Sequence, residues 1–245
     1  MIDPQTLVVM ALAIGAGAFV KGVTGAGLPV IAVPVLAIFF GVPKSIAVLV
    51  VPVLLTNAWQ VVEYREARGE ARFLPWMLAA AVPGILIGTW LLAELPERQL
   101  ARGLGAMVVC YIVLQLLHPS FSLSGPLGRR MAPFAGFVSG ALQGSTGISA
   151  PASVTFLHSL RLTREAYIFS LSSLFLIFST TQIPALSYAG FLNRQVFLEG
   201  LLAIIPAVAM LPVGGFVGRR IGRQVFDKIV LATLAIIAVK LLFGN

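Results

Sequence analysis

Long apolar segments, separated by short charged loops, run the whole length of this chain of 245 residues. Hydrophobic residues make up 58% of the chain and charged residues only 11%, and the mean hydropathy is +0.98. A soluble domain carries about 25% charged residues, so a water-facing surface is excluded. A membrane barrel would show alternating strands of about ten residues, whereas these segments are longer and continuously apolar. The sequence therefore predicts an all-α polytopic membrane protein.

Two glycine-rich breaks interrupt apolar segments at corresponding places in the chain. The sequence FVKG (19–22) opens a break at 22–29, and FVSG (137–140) opens another at 143–147. Three further apolar segments follow each break. Broken segments at matching places in two halves are the best sequence indication of a transporter's binding site. The functional site is therefore expected where the two breaks meet.

The apolar segments divide the chain into two repeats, each predicted to contain a broken helix hairpin and three transmembrane helices. One crossing takes about 20 apolar residues, so the two short segments of each hairpin are expected to enter the membrane and return. Backbone broken at that depth must be buried in protein or line a polar cavity. The first repeat is 1–117, with a re-entrant hairpin at 5–42 and spans at 45–62, 73–93 and 99–117; a linker follows at 118–130; the second repeat is 131–245, with a hairpin at 131–160 and spans at 166–188, 196–217 and 225–243.

The placement of charge predicts which way the repeats face. Three spans and a returning hairpin cross an odd number of times, so the two repeats are expected to have inverted topology. The face richer in Lys and Arg is assigned to the cytoplasm, which puts both termini outside. That face carries Arg65, Arg68, Arg72, Arg129, Arg130, Arg161, Arg164, Arg219, Arg220, Arg223 and Lys228, and the other carries Lys44, Arg98, Arg102, Arg194 and Lys240. These basic residues behind the net charge of +8 lie in short loops and thus set orientation in the bilayer, and no nucleic-acid partner is predicted.

Lys21 is the one lysine or arginine within a predicted hairpin, and it lies beside the first break. A charge at membrane depth is costly and by default indicates function, here contact with an anionic substrate. The alternative is a snorkelling lysine, whose long stem carries the ammonium to the headgroups. The depth of the break decides between them.

The breaks can offer backbone donors to an anion. Glycine lets the chain unwind and approach a ligand, and the helix that follows presents its positive end. The alternative is close helix packing, which also favours small residues. Polar side chains of the third segments would complete a substrate cage or hydrogen-bond between helices. A bulky residue at Gly25 or Gly144 is expected to abolish transport without preventing insertion. The predicted substrate-binding residues are Lys21, Gly22, Thr24, Gly25, Gly27, Asn57, Gln60, Gln143, Gly144, Ser145, Thr146, Gly147, Ser149, Thr181 and Gln182.

Carboxylates are absent from the predicted membrane interior. All nine acids lie at or near segment ends, so none is expected to act as a proton relay or cation ligand. An anionic or neutral substrate is therefore favoured. His118 and His158 lie near loops, without the spacing of a metal site or a catalytic base, and Cys110 is the single cysteine. No catalytic residue, metal or cofactor is predicted.

The first break and its continuation resemble the TauE/SafE family of sulfite and sulfonate exporters. The residues that match the family pattern are Gly22, Gly25, Gly27, Pro34, Gly140, Gly144 and Pro151, whereas Leu28, Pro29 and Gln143 depart from it. The resemblance implies a transporter of the bacterial inner membrane, often an exporter, for small sulfur-containing or organic anions. It also implies two homologous halves.

Several functions remain open at this point. Alternating access would rock one repeat against the other around the bound anion, whereas an anion channel would use the same groups without a closed intermediate. A membrane-embedded enzyme would need a nucleophile and base in contact, and a structural subunit would not need polar breaks. The sequence leaves open which anion is carried, in which direction, whether a proton or sodium is coupled, and whether a homo-oligomer forms.

Overall fold

The computed structural model describes residues 4–24, 27–117, 122–123, 125–218, 220 and 223–243. Within these residues all regular secondary structure is helical, as predicted for an all-α chain. The α-helices are α1 (Pro4–Thr24), α2 (Leu28–Phe40), α3 (Val42–Glu63), α4 (Leu74–Glu94), α5 (Glu97–Leu117), α6 (Gly125–Thr146), α7 (Ala150–Ser159), α8 (Arg164–Tyr188), α9 (Arg194–Leu202), α10 (Ile204–Gly218) and α11 (Arg223–Phe243), and a short 3-10 helix, Arg65–Glu70, precedes α4.

Among the described residues, six helical stretches are long and apolar enough to cross a membrane. These are α1, α3, α4, α5, α8 and the stretch Arg194–Gly218 formed by α9 and α10. The prediction of a polytopic membrane protein is confirmed. The expectation that both hairpin segments are too short to span is wrong for α1, whose 21 residues extend about 31 Å. Only the second helix of each hairpin is short, with 13 residues in α2 and 10 in α7.

Both predicted breaks are interruptions between helices. Gly27, with φ of 116°, precedes α2, and Gly147, with φ of 73°, follows α6. Both glycines have left-handed backbone, which other residues rarely adopt, so glycine is favoured where α2 begins and where α6 ends. Gly25 lies outside the described residues. The helix ends show that the breaks exist, and whether the hairpins re-enter the membrane remains a prediction.

The helix ends align the two breaks in a different register from that of FVKG with FVSG. Thr24 and Thr146 are the last residues of α1 and α6, and Pro29 and Pro151 are both second in the helices that follow. Residues 22–25 (GVTG) therefore correspond to 144–147 (GSTG), one helical turn away from the pairing of FVKG with FVSG. The predicted pairing relied on a chance likeness of apolar residues, whereas the helix ends depend on the glycines themselves.

The two halves, residues 4–117 and 125–243, pack across each other. The first helix of each half lies against the fourth segment of the other, because α1 packs on α10 and α6 packs on α4. Helices α3 and α8 meet in the interior, and α5 packs against α11. If each helix is replaced by its counterpart in the other half, the α1–α10 contact becomes the α6–α4 contact, and the α3–α8 and α5–α11 contacts are unchanged. The arrangement surrounds both breaks with helices from both halves.

Large apolar side chains are exposed on the surface of the bundle, while some polar side chains lie in its interior. Trp76 and Trp90 of α4 are about 60% exposed and Ile236 of α11 is 74% exposed. Lys21 and Gln143, in contrast, are buried. Apolar side chains thus face outward where lipid would lie, and Lys21 and Gln143 face the interior.

A buried ion pair joins the halves near the start of α3. Lys44 Nζ lies 3.1 Å from Glu199 Oε2, and Gln195 Nε2 donates to Glu199 Oε1 at 3.2 Å. The Glu199 side chain is 1% exposed, whereas that of Lys44 is 32% exposed. Glu199 lies near a segment end, as predicted for all the acids, but packing on α3 removes it from solvent. Sequence reasoning did not identify this buried carboxylate.

Replacing Lys44 with methionine should destabilise the protein more than replacing Glu199 with glutamine. The first change leaves a buried carboxylate without its cation, at a cost of about 3–5 kcal/mol, whereas Lys44 can turn to water after the second. Thermal unfolding of the detergent-solubilised variants measures the difference, with the exposed Lys240→Met as control. Equal unfolding temperatures for Lys44→Met and Lys240→Met would show that the pair contributes nothing.

Candidate substrate-binding site

Lys21 lies in the last turn of α1 and points into the bundle. Its side chain is 4% exposed. Nζ donates to Asn57 Oδ1 at 2.8 Å and to Thr56 Oγ1 at 3.2 Å, both on α3. A snorkelling lysine would carry its ammonium out of the protein, whereas this ammonium ends in buried hydrogen bonds. The geometry thus favours the interior role over the snorkelling alternative.

The groups around Lys21 are orientated toward it by bonds of their own. Asn57 Nδ2 donates to Val53 O at 2.7 Å, which turns the amide oxygen toward the ammonium. Thr56 Oγ1 donates to Pro52 O at 2.8 Å and accepts from Lys21 with its lone pair. An ammonium has three donors, and two are used here. Among the described residues, no carboxylate is paired with Lys21.

A small cavity, the central cavity, lies between α2, α3, α6 and α8. Its volume is about 10 Å³, close to the space of a single water molecule. Pro29 belongs to the first break and Gly147 to the second, so one residue from each break lines this cavity. The lining residues are Pro29, Val33, Ile46, Leu49, Val50, Val53, Gln143, Gly147, Ser179 and Gln182. Val53 connects this cavity to the Lys21 site, because its carbonyl oxygen binds Asn57.

Gln143 brings an unpartnered polar atom to the central cavity. The residue is 6% exposed, and its Oε1 has no hydrogen-bond partner among the described residues. Gln182 Nε2, also at the cavity, donates to Gly144 O at the end of α6 over 3.4 Å. Buried polar atoms are nearly always bonded, and leaving one unpaired costs about 1–3 kcal/mol. The two amides are therefore candidates for binding a polar ligand.

Several predicted hydroxyl groups are engaged within their own helices. Thr24 Oγ1 donates to Val20 O at 3.0 Å. Ser145 and Thr146 donate to the carbonyls of Ala141 and Leu142, at 2.8 and 2.7 Å. A hydroxyl has one proton, so each of these side chains must give up its hydrogen bond to the backbone carbonyl before it can donate to an anion. Their predicted role stays a prediction.

The remaining predicted side chains lie apart from Lys21. Gln60 Oε1 accepts from Ser172 Oγ at 2.9 Å, which links α3 to α8. Ser149 Oγ accepts from Ser153 Oγ at 3.3 Å within α7. Thr181 is half-buried but does not line the central cavity. Of the predicted set, the geometry therefore joins Lys21 with Asn57, and Gln143 and Gly147 with Gln182.

Gly22 and Gly144 are required for helix packing. A Cβ on Gly144 would lie 2.5 Å from Ile85 O and 2.7 Å from Thr89 N on α4. A Cβ on Gly22 would collide with the backbone of α10 at Leu211 and Gly214. The packing alternative thus accounts for both glycines without a ligand. Their predicted contact with substrate stays a prediction.

Seven residues of the central cavity were missing from the predicted set, and the sequence carries a signal for two of them. Ser179 lies three residues before Gln182, so helical spacing places both on one face of α8, and that spacing could have identified it. Pro29 was treated as a departure from the family pattern. Its position as the second residue of α2 is matched by Pro151 of α7, a signal that the corrected register supplies.

Comparison with known proteins gives one match. A family model described as Sulfite exporter TauE/SafE matches residues 9–241, nearly the whole chain. Neither a curated protein nor a solved structure matches the chain. The matched region contains Lys21, both breaks and every residue of the central cavity.

Proposed function

Because the chain belongs to the TauE/SafE family, and is thus a membrane transporter of the sulfite exporter type, we propose that it exports small sulfur-containing or organic anions such as sulfite or sulfonates. The bilayer and a small anion are the partners that this family implies. The proposal assigns the substrate to Lys21 and to the amides of the central cavity.

One observation carries the proposal: the amine of Lys21 is buried and its hydrogen-bond partners are neutral. Removing an ammonium from water is costly unless an opposite charge compensates it. Thr56 and Asn57 provide oxygens but no negative charge, and no described carboxylate is paired with this ammonium. An anionic substrate would supply the missing charge together with an acceptor for the third N–H. Binding of the anion would then recover the free energy that burying an uncompensated ammonium costs the substrate-free protein.

The size of the central cavity supports alternating access. A sulfite ion is larger than a single water molecule, and the cavity holds about 10 Å³. An anion therefore needs the surrounding helices to move before it can bind or leave. The crossed packing of the halves supports a rocking motion of two inverted repeats, since α1 and α6 would each move with the opposite half's helix.

Counterflow in proteoliposomes tests this function. Vesicles loaded with unlabelled sulfite should accumulate radiolabelled sulfite transiently, because a carrier exchanges one anion for another at a saturable site. Linear, non-saturable flux without counterflow would favour the channel. Absence of any anion flux or anion-dependent thermal stabilisation across sulfite, sulfonates and carboxylates would reject the proposed function.

The proposed orientation can be tested separately with fusion reporters. A reporter that works only in the cytoplasm should be active when inserted in the linker 118–130 and inactive at the C-terminus. The expected contrast follows from the excess of Lys and Arg on the linker face. Activity at both positions would contradict the inverted topology, and activity at the C-terminus alone would contradict the predicted external termini.

A further inference from the structure

A second cavity of about 140 Å³, which we name the side cavity, lies between α5 and α7. Tyr111, Leu114 and Gln115 of α5 form one wall. Ala150, Val154, Thr155 and His158 of α7 form the other. The side cavity is much larger than the central cavity and shares no lining residue with it. It is therefore a separate candidate for binding a small molecule.

The side cavity extends from the surface at His158 to Ala150, three residues beyond Gly147 of the second break. His158, near the end of α7, is exposed, whereas Ala150, which begins α7 directly after the break, is 4% exposed. The distance between them along the helix is about 12 Å at 1.5 Å per residue. Arg161, exposed in the turn after α7, places a positive charge beyond the mouth. An anion would thus be attracted to the mouth of the cavity.

Polar and apolar groups both line the side cavity. Gln115 Nε2 donates to Tyr111 Oη at 2.9 Å, and Thr155 adds a hydroxyl group. The His158 ring packs against Tyr167 of α8, with 4.9 Å between centroids. None of the lining residues is a carboxylate, so the cavity does not repel an anion.

Leu114, Val154 and Ala150 supply the apolar part of the wall. Sulfite has no carbon and would gain nothing from these side chains, whereas an alkyl chain would bury its methylene groups, each for about 0.8 kcal/mol. The combination of donors without carboxylates and an apolar wall fits an anionic head that carries a short hydrocarbon chain.

We propose that the side cavity binds organosulfonates with a short carbon chain, on the way to the transport site. The proposal rests on the proposed function and narrows its substrate class. The sulfonate oxygens accept from Thr155 and from the polar groups near the mouth, and the chain lies along Val154 and Leu114. Carbon-bearing sulfonates are therefore preferred over sulfite at this site.

Chain-length selectivity tests the proposal. Methane-, ethane- and propanesulfonate should inhibit sulfite counterflow by the parent protein with increasing strength, about threefold to fourfold per methylene. Val154→Trp, which fills the side cavity, should weaken inhibition by propanesulfonate at least tenfold and remove the dependence on chain length. Leu116→Trp is the matched control, because Leu116 lies on α5 but is 64% exposed on its outer side. Unchanged selectivity in Val154→Trp overturns the proposal.

If Val154→Trp fails to fold, a labelling experiment tests the proposal instead. Thr155→Cys, in a background with Cys110→Ser, should react with an anionic methanethiosulfonate reagent, and propanesulfonate should slow the reaction severalfold. Leu116→Cys should react without protection. No protection at position 155, together with intact sulfite counterflow, rejects the side cavity and leaves the proposed function standing. Absence of anion flux and of anion-dependent thermal stabilisation in the parent, with sulfite, sulfonates and carboxylates alike, rejects both.

Discussion

Replacing Lys21 with methionine should reduce anion counterflow at least a hundredfold. Methionine keeps an unbranched apolar stem but removes the charge that compensates the anion and the donors to Asn57 and Thr56. A hundredfold loss corresponds to about 2.7 kcal/mol, within what a charge-assisted bond in a buried site contributes. Initial rates of radiolabelled sulfite uptake, normalised to reconstituted protein, measure the effect.

Two comparisons separate a binding role for Lys21 from a structural one. Lys240→Met makes the same chemical change at an exposed position of α11 and should leave flux unchanged. Lys21→Arg keeps the charge and should retain more flux than Lys21→Met, although the wider guanidinium fits the site less well. Flux within tenfold of the parent in a well-folded Lys21→Met variant would remove the ammonium from substrate binding.

Replacing Gly144 with leucine should disrupt folding and transport together. Ile85 O and Thr89 N already touch the position of the missing Cβ, and backbone cannot move aside as a side chain can. Overpacking of cores usually costs about 1–3 kcal/mol, and a backbone collision belongs at or above the upper end. The sequence alone predicts a Gly144 variant that inserts but does not transport. The structure predicts loss of folding as well, because α4 and α6 must separate to accept the side chain.

Gly103→Leu is the matched control for this prediction. Gly103 also lies in a helix, α5, but nothing would lie within 4 Å of its Cβ. Size-exclusion profiles and thermal unfolding in detergent should show a large loss for Gly144→Leu and little change for Gly103→Leu. If the two variants are equally stable, the close contact between α4 and α6 is not required for the fold.

The repeat illustrates how far local sequence can be interpreted. The presence of two breaks was predictable, because a glycine such as Gly147 acts on its own backbone. The register between the two breaks was not predictable from sequence. Apolar segments resemble one another, so the two four-residue segments FVKG and FVSG can align by chance. Only the helix ends at Thr24 and Thr146 establish which residues correspond.

The candidate site shows the same division. Lys21 was identified from sequence, because a charge inside an apolar segment stands out without any tertiary information. Its partners could not be chosen among the polar residues, since Asn57 contacts it while Gln60, one turn away, binds Ser172. Which neighbour a helical side chain meets depends on the rotation and packing of whole helices.

Composition and local backbone chemistry by themselves determined that this chain is a helical membrane protein with two breaks and a cation beside one of them. The tertiary structure decided which glycines hold helices together, that Glu199 is buried with Lys44, and which amides reach the central cavity. The reason is physical: hydropathy and helix breaking act within a few residues, whereas burial and hydrogen-bond partners arise from contacts between segments far apart in the chain.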